Sequence, residues 1–227
     1  MRTNIYIDGY NLYYGRLKHT DHKWLDIKKL FEHILKIQSP KSSINKIKYF
    51  TADIKSKVAS HGQVAQQAQN NYNRALELLY PDYFEIIKGY YSLDFANLPI
   101  YQKPPDKSQR AKVWRLEEKQ TDVNIALHMY RDVVKTDCDQ IVLVSNDTDL
   151  EPALEAIRED KGNSVQIGVI IPIEKQTQGK RHRPANQRLS QYADWTRHHI
   201  LDDELASSQL PLKIPTNKKP IIKPNYW

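Results

Sequence analysis

The chain has 227 residues, 40% hydrophobic and 10% aromatic, a composition typical of a folded domain with a sizeable core. It contains no run of 18 uncharged apolar residues, which excludes a transmembrane helix, and its N-terminal stretch is too polar for a signal peptide. A net charge of +7 is compatible with a polyanionic partner. The single cysteine, Cys138, excludes an internal disulfide and a cysteine-rich zinc site, so a cytoplasmic protein is expected.

Strand and helix patterns alternate along the chain. Runs of β-branched and aromatic residues predict strands at residues 4–8, 44–51, 83–91, 112–118, 141–144 and 164–171. Helices are predicted at residues 25–37, 60–80, 121–134, 149–159 and 186–201. This order predicts an α/β sandwich whose mostly parallel central sheet has helices on both faces. In the helix at 121–134, the apolar side is expected to carry Val123, Ala126, Leu127, Tyr130 and Val134.

Three segments have irregular patterns. Residues 98–110 combine prolines with charges, which predicts a mobile loop or an extended hairpin. Residues 175–184 form a predicted polar loop with a basic cluster. From residue 211 onward, prolines and lysines predict an extended basic tail at 211–227, following a domain at 1–210.

Four aspartates are predicted to meet at one edge of the sheet. Asp8 ends the first strand, Asp147 and Asp149 follow the strand at 141–144, and Asp122 lies in the first turn of a helix. Ligands of open parallel sheets bind outside the carboxyl ends of the strands. Clustered carboxylates repel one another unless a cation neutralises them, and oxygen ligands suit Mg²⁺. Such ions can activate water against a phosphodiester, which is the chemistry of a nuclease.

Each of these acids also has an ordinary structural explanation. Asp147 and Asp149 can cap the helix that follows them, Asp122 can be a first-turn acid, and Asp8 can belong to a turn. Helix caps have no reason to recur at the strand-exit side of three separate elements. That recurrence favours a site.

Three motifs resemble the signature of NYN domains, the PIN-like nuclease group that includes LabA-type proteins. They are residues 5–12 (IYIDGYNL), residues 119–127 (KQTDVNIAL) and residues 142–154 (VLVSNDTDLEPAL), in the family's order. Residues 189–194 resemble the closing helix of bacterial members, so the resemblance spans about residues 4–210. It implies a PIN-like Rossmannoid three-layer sandwich and, in active members, metal-dependent cleavage of RNA.

The resemblance also implies residue roles. It assigns the binding of Mg²⁺ or Mn²⁺ to Asp8, Asp122, Asp147 and Asp149. Asn11 would orient ligands or water, and Ser145 would hydrogen-bond to the ligands from a strand end. The implied partner is RNA, either single-stranded or structured. No association with a membrane is expected, and the formation of a homo-oligomer is left open.

Other residues are candidates for holding a substrate. Lys119 is either a phosphate contact or a surface lysine, and the loop residues Lys180, Arg181 and Arg183 either hold a nucleic-acid backbone or are solvated. The tyrosines that follow the first acid either stack on bases or belong to the core: Tyr10, Tyr13 and Tyr14. Two further acids are runner-up ligands: Glu117 and Glu118.

The sequence therefore predicts a metal-dependent ribonuclease. Two alternatives stay open: a non-catalytic nucleic-acid-binding or regulatory module, and a phosphoesterase of small molecules. The common haloacid-dehalogenase type is disfavoured, because no Asp-x-Asp follows the first strand. The chain has neither a P-loop nor a Gly-x-Gly-x-x-Gly motif, and His19 and His22 lack a second ligand pair, which disfavours zinc.

Overall fold

The computed structural model describes residues 1–135, 137–175 and 187–227. The α-helices in these residues are α1 (Gly9–Leu12), α2 (Ile27–Gln38), α3 (Gly62–Leu79), α4 (Thr121–Val134), α5 (Glu151–Lys161) and α6 (Asp202–Ser207). The strands are β1 (Arg2–Asp8), β2 (Ser43–Ala52), β3 (Phe84–Pro99), β4 (Arg110–Lys119), β5 (Gln140–Val144), β6 (Gln166–Ile170), β7 (Trp195–Arg197), β8 (Lys213–Ile214) and β9 (Ile221–Ile222). The predicted helices and strands up to residue 171 are confirmed, with shifted ends.

Seven of the described strands form one sheet in the order β4-β3-β2-β1-β5-β6-β7. Neighbouring strands are parallel except β4, which is antiparallel to β3. The chain moves outward from β1 to β3 and later returns to place β5 on the other side of β1. The strand order therefore reverses between β1 and β5, and the carboxyl ends of these two strands flank the crevice where such sheets bind ligands.

Helices cover both faces of the sheet because its central strands are apolar on both sides. Strand β5 is buried along its whole length, as its unbroken aliphatic run predicts. Val142 and Val144 of this strand face one core, together with residues of α2 and α3. Ile141 and Leu143 face the other core, together with residues of α4 and α5. The α/β sandwich predicted from the sequence is thus confirmed.

The helix predicted at residues 186–201 is wrong. The described part of this segment contains a short 3₁₀ turn at Leu189–Tyr192, followed by β7, which pairs with β6. Asp194 anchors the strand, since its carboxylate accepts hydrogen bonds from the Ile167 backbone N–H at 2.7 Å and from Arg158 at 2.9 Å. Pairing with the open edge of β6 outweighs the local helical preference, which is weak compared with tertiary contacts.

Helix α4 is present as predicted, but a different side of it faces the core. Its buried apolar side chains are Ile125, Met129 and Val133. Four of the five residues that were expected to face the core are exposed instead: Val123, Leu127, Tyr130 and Val134. The helix carries two apolar stripes, and the side that faces the sheet also carries Asp132, which binds Lys48 and Tyr6 of the strands beneath it.

Strands β3 and β4 form a hairpin that projects beyond the sheet. Strand β3 pairs with β2 as far as Gly89 and with β4 from Tyr90 to Pro99. We call the paired segments 90–99 and 110–119 the hairpin arm; at about 3.3 Å per residue, it is roughly 30 Å long. Because β3 runs parallel to β1, the arm leaves the sheet at the edge where β1 ends. The segment predicted as a loop or an extended hairpin, residues 98–110, contains elements of both: residues 98–99 and 110 end the paired strands, and residues 100–109 form the loop at the tip.

The C-terminal residues pack on the body of the protein. Strands β8 and β9 pair with each other, and Ile214 and Ile221 are buried in the core. The ring of Trp227 lies 6.1 Å from Trp24 and 5.5 Å from Tyr72, centroid to centroid. The domain boundary at residue 210 stays a prediction. Among the described helices, none has the length and apolar character needed to cross a lipid bilayer.

Candidate active site

Asp8 closes β1 at the edge where the strand order reverses. Its Oδ1 accepts the backbone N–H of Asn11 at 2.9 Å, which caps α1. Its Oδ2 accepts Asn11 Nδ2 at 2.6 Å and the Ser145 hydroxyl at 3.0 Å. The residue is only 2% exposed, and this burial raises the pKa of its carboxyl although the three hydrogen bonds act in the opposite direction. Asp8 is therefore a buried acid with a fixed orientation.

The turn after Asp8 requires a glycine. A Cβ on Gly9 would lie 2.6 Å from the carbonyl oxygen of Phe50 and 2.9 Å from the ring of Tyr49. Real Cβ atoms do not approach other atoms so closely, so any larger residue would push α1 away from β2. The Asp-Gly pair seen in the sequence thus has a packing reason beyond its turn propensity.

Asn11 holds an unsatisfied acceptor next to Asp8. Its Nδ2 donates to Asp8, but its Oδ1 is buried and has no hydrogen-bond partner among the described residues. A buried polar atom without a partner is costly, and its presence in a folded protein calls for an explanation. A cation, a water held by one, or a donor on a substrate would satisfy this oxygen.

The loop after β5 brings the second group of acids to the same edge. The Ser145 hydroxyl donates to Asp8 and accepts the backbone N–H of Asp147 at 3.1 Å. Asp147 Oδ1 in turn accepts the backbone N–H of Asp149 at 3.1 Å and so caps the 3₁₀ turn at Thr148–Leu150. The capping role that the sequence allowed for Asp147 is therefore present. It occupies one carboxylate oxygen, and a carboxylate can accept several more bonds.

Asp122 reaches the site through a tight connection between β4 and α4. Gln120 in this connection has a φ of 73°, in the left-handed region that non-glycine residues seldom adopt. The turn lies against Gly89, where a Cβ would be 2.5 Å from the carbonyl oxygen of Lys119 and 2.6 Å from Thr121 Oγ1. A glycine at position 89 thus allows Asp122 to approach the ends of β1 and β5.

The charges of these acids act on one another. Partial desolvation, followed by the charges of Asp8, Asp147, Glu118 and Asp149 in that order, raises the pKa of Asp122 to about 6. The structure therefore brings Asp8, Asp147 and Asp149 within electrostatic reach of Asp122, and Asp8 within reach of Asp147. Asp8 is buried, Asp147 is partly buried, and Asp122 and Asp149 are exposed.

Glu118 is a fifth acid of this group. Its Oε1 accepts the Thr121 hydroxyl at 2.5 Å, and burial followed by the charge of Asp8 raises the pKa of its carboxyl. Glu117 lies on the other side of β4, where it pairs with Arg115 and Lys119. Alternation along the strand shows that only one of the two glutamates can face the site, but the sequence does not show which.

The structure describes some of the predicted substrate-binding residues but not all of them. The amine of Lys119 donates to Glu117, on the side of the strand opposite Glu118, and its contact with a phosphate stays a prediction. Lys180, Arg181 and Arg183 lie outside the described residues, so their contacts with a nucleic-acid backbone stay a prediction. Three exposed tyrosines follow the first acid, Tyr10, Tyr13 and Tyr14, and the rings of the first and last of these lie 4.3 Å apart.

The donors at this site suit a hard divalent cation. Carboxylate oxygens and one unsatisfied amide oxygen are the ligands that Mg²⁺ and Mn²⁺ prefer. In the described part of the chain, no three Asp, Glu, His or Cys side chains surround a common point as the ligands of one ion do. Repulsion keeps like charges apart until a cation joins them, and exposed aspartates can rotate towards a buried one. Metal binding by these residues stays a prediction.

Comparison with known proteins gives the family. A profile of the NYN domain matches residues 2–191. The chain belongs to the NYN family. It is also 42% identical, over 249 aligned positions, to a Pseudomonas putida protein named 6-hydroxy-3-succinoylpyridine 3-monooxygenase HspA; the match covers 100% of this chain and 75% of that protein. A crystal structure of a protein of unknown function from Vibrio parahaemolyticus is 17% identical with a TM-score of 0.48, covering 92% of this chain and 96% of that one.

The resemblance of the three sequence motifs to NYN domains is thus confirmed. The mostly parallel seven-stranded sheet with helices on both faces agrees with the PIN-like architecture that this resemblance implied. In this NYN domain the motifs occupy the end of β1, the turn from β4 into α4, and the end of β5. These are the three places that carry the acids.

Proposed function

We propose that this NYN domain is a metal-dependent ribonuclease that hydrolyses RNA phosphodiester bonds. The observation that carries the proposal is the crowding of Asp8, Asp122, Asp147 and Asp149 at the edge where the strand order reverses. So many carboxylates repel one another and also repel a phosphodiester. A divalent cation removes both repulsions, because it binds the acids and the substrate phosphate together.

Each residue of the site has a defined part in this proposal. A bound Mg²⁺ or Mn²⁺ supplies Lewis acidity and a more acidic water. Asp8, held by Asn11 and Ser145, presents a fixed buried oxygen. Asp147 and Asp149 present further oxygens from the loop after β5. Asp122, from the other side of the crevice, completes the ring of acids and orients the attacking water.

The decisive test is cleavage of labelled RNA. The full chain is incubated with single-stranded and hairpin RNA in Mg²⁺, in Mn²⁺ or in EDTA. We expect cut products with a divalent metal and none with EDTA. Binding of RNA without cleavage in either metal would favour the non-catalytic module, whereas hydrolysis of p-nitrophenyl phosphate esters alone would favour a small-molecule phosphoesterase.

A second candidate function comes from the relative named as a monooxygenase, because 42% identity extends across the whole chain. Such a reaction inserts one oxygen atom of O₂ into the substrate and reduces the other to water with two electrons from a donor such as a reduced nicotinamide or flavin. The test is incubation with 6-hydroxy-3-succinoylpyridine, O₂ and each donor, with products read by mass spectrometry. Turnover here without RNA cleavage would replace the ribonuclease proposal.

The variant Asp122→Asn is expected to stabilise the metal-free protein. The pKa of Asp122 is raised from 3.8 to about 6, so its ionisation disfavours the native state increasingly from about pH 4 to pH 6, and fully above that. Because the side chain is exposed, solvent screening reduces the effect to about 1 kcal/mol. In EDTA, urea unfolding near pH 8 should show this gain, and near pH 4 the gain should disappear.

The matched control is Asp21→Asn, which neutralises an exposed aspartate outside the acid group and should leave the free energy of unfolding unchanged. Addition of Mn²⁺ should then raise the melting temperature of the wild type more than that of Asp122→Asn. An equal or lower stability of Asp122→Asn at pH 8 would show that the acids do not crowd one another.

A further inference from the structure

The hairpin arm continues the surface of the active site outward. Side chains alternate between its two faces, and the face that carries Glu118 and Tyr91 lies next to the acids. Moving outward on this face, the cross-strand pairs are Leu93–Leu116, Phe95–Trp114, Asn97–Lys112 and Pro99–Arg110. We call it the Trp114 face.

Two large aromatic rings on this face are open to solvent. Phe95 is 73% exposed and Trp114 is 75% exposed, directly opposite each other in the ladder. Exposed aromatic side chains in pairs are unusual on a protein surface and mark interaction sites. At about 3.3 Å per residue, the pair lies roughly 13 Å along the ladder from Tyr91 and Glu118. An extended ligand bound there therefore reaches the acids.

Charge changes sign along the arm. The outer part of the arm together with the loop at its tip, residues 97–114, carries one acid, Asp106, against four cations: Lys103, Lys107, Arg110 and Lys112. Its base carries Glu118 beside the aspartates of the site. A polyanion is thus attracted to the outer arm and repelled at the acids unless a cation is bound there.

We propose that the Trp114 face binds a single strand of RNA, with bases stacked on Trp114 and Phe95 and phosphates held by Lys112 and Arg110. This rests on the proposed function, since it says how the same site receives its substrate. Aromatic side chains bind bases of any sequence by stacking. In a duplex the base faces are already stacked inside, so Trp114 selects an unpaired strand.

A second copy of the chain is the other occupant that an exposed aromatic pair allows. A symmetric contact would place the same face on itself. The basic outer arms of both copies would then oppose each other, which like-charge repulsion disfavours. The charge of the arm therefore favours a polyanion over a copy of the chain.

The test measures binding separately from cleavage. Fluorescence anisotropy of a labelled single-stranded oligouridine is recorded in EDTA for the full chain. The double variant Phe95→Ala, Trp114→Ala is expected to bind roughly 10- to 100-fold more weakly. Lys112→Glu should weaken binding and make it less dependent on salt. A duplex of the same length should bind the wild type more weakly than the single strand does.

Matched controls lie elsewhere on the surface. Tyr90→Ala removes an exposed tyrosine from the opposite face of the same ladder, and Lys36→Glu reverses an exposed charge on α2. Both should bind oligouridine much more like the wild type than the Trp114-face variants do. Circular dichroism should show that all variants are folded, because the replaced side chains are exposed.

Four outcomes decide between these possibilities. Wild-type affinity in the double variant, or no binding by the wild type, overturns the inference whether or not RNA is cleaved. Loss of dimers in Trp114→Ala by light scattering, with RNA binding unchanged, overturns it in favour of self-association. If binding depends on Trp114 but no divalent metal supports cleavage, the inference holds and the proposed ribonuclease function fails.

Discussion

The variant Asp147→Asn is expected to lower RNA cleavage by roughly 100-fold or more while the protein stays folded. The change removes a negative charge and one carboxylate oxygen from the acid group. The amide oxygen of asparagine can still accept the backbone N–H of Asp149, because asparagine caps helical turns as well as aspartate does. The measurement is kcat/KM with labelled RNA in Mn²⁺, together with urea unfolding in EDTA.

The control for this experiment is again Asp21→Asn, purified in parallel, which should cleave RNA like the wild type. Full activity in Asp147→Asn, in a preparation shown to lack contaminating nuclease, would remove this residue from the proposed mechanism. A parallel loss of activity and of folding would show that Asp147 matters through its cap.

The variant Lys48→Met is expected to destabilise the protein by about 3 kcal/mol. Lys48 Nζ lies 2.7 Å from Asp132 Oδ2, and both side chains are about 10% exposed or less. Asp132 also accepts the Tyr6 hydroxyl at 2.6 Å, and burial raises the pKa of Tyr6, so this tyrosine stays a donor. Removing the lysine leaves a carboxylate buried against β1 and β2 with one neutral partner.

A double-mutant cycle isolates this ion pair. Asp132→Asn keeps an acceptor for Tyr6 but removes the charge. In that background, the loss of unfolding free energy caused by Lys48→Met should be smaller than in the wild type by about 1 kcal/mol or more. Urea unfolding of the four proteins gives the coupling free energy. Additive losses would mean that the pair contributes nothing beyond packing.

Local pattern was enough for much of this molecule. An unbroken apolar run such as residues 141–144 needs cover on both faces, and the structure has it. The acids at the ends of β1 and β5 could be placed at one edge because parallel strands end on the same side of a sheet. The three motifs indicated the NYN family, which the match over residues 2–191 confirms.

The local sequence pattern was misleading where it was compatible with two different arrangements of the same segment. Residues 186–201 have acceptable helical spacing, but the open edge of β6 recruits Trp195–Arg197 as a strand. Helix α4 has two apolar stripes, and the one that turns inward packs in the core beside Asp132, which pairs with Lys48 of β2. In each case the deciding contact comes from a segment distant in the chain.

Composition, alternation and motif spacing were sufficient for the class of fold, the family and the edge at which the acids lie. The direction of each side chain required the folded chain: Glu118 turns towards the aspartates and Glu117 away from them, and Trp114 lies on the same face of the arm as Glu118. Strand register and helix rotation follow from contacts between segments far apart in the chain, and no window of neighbouring residues contains those contacts.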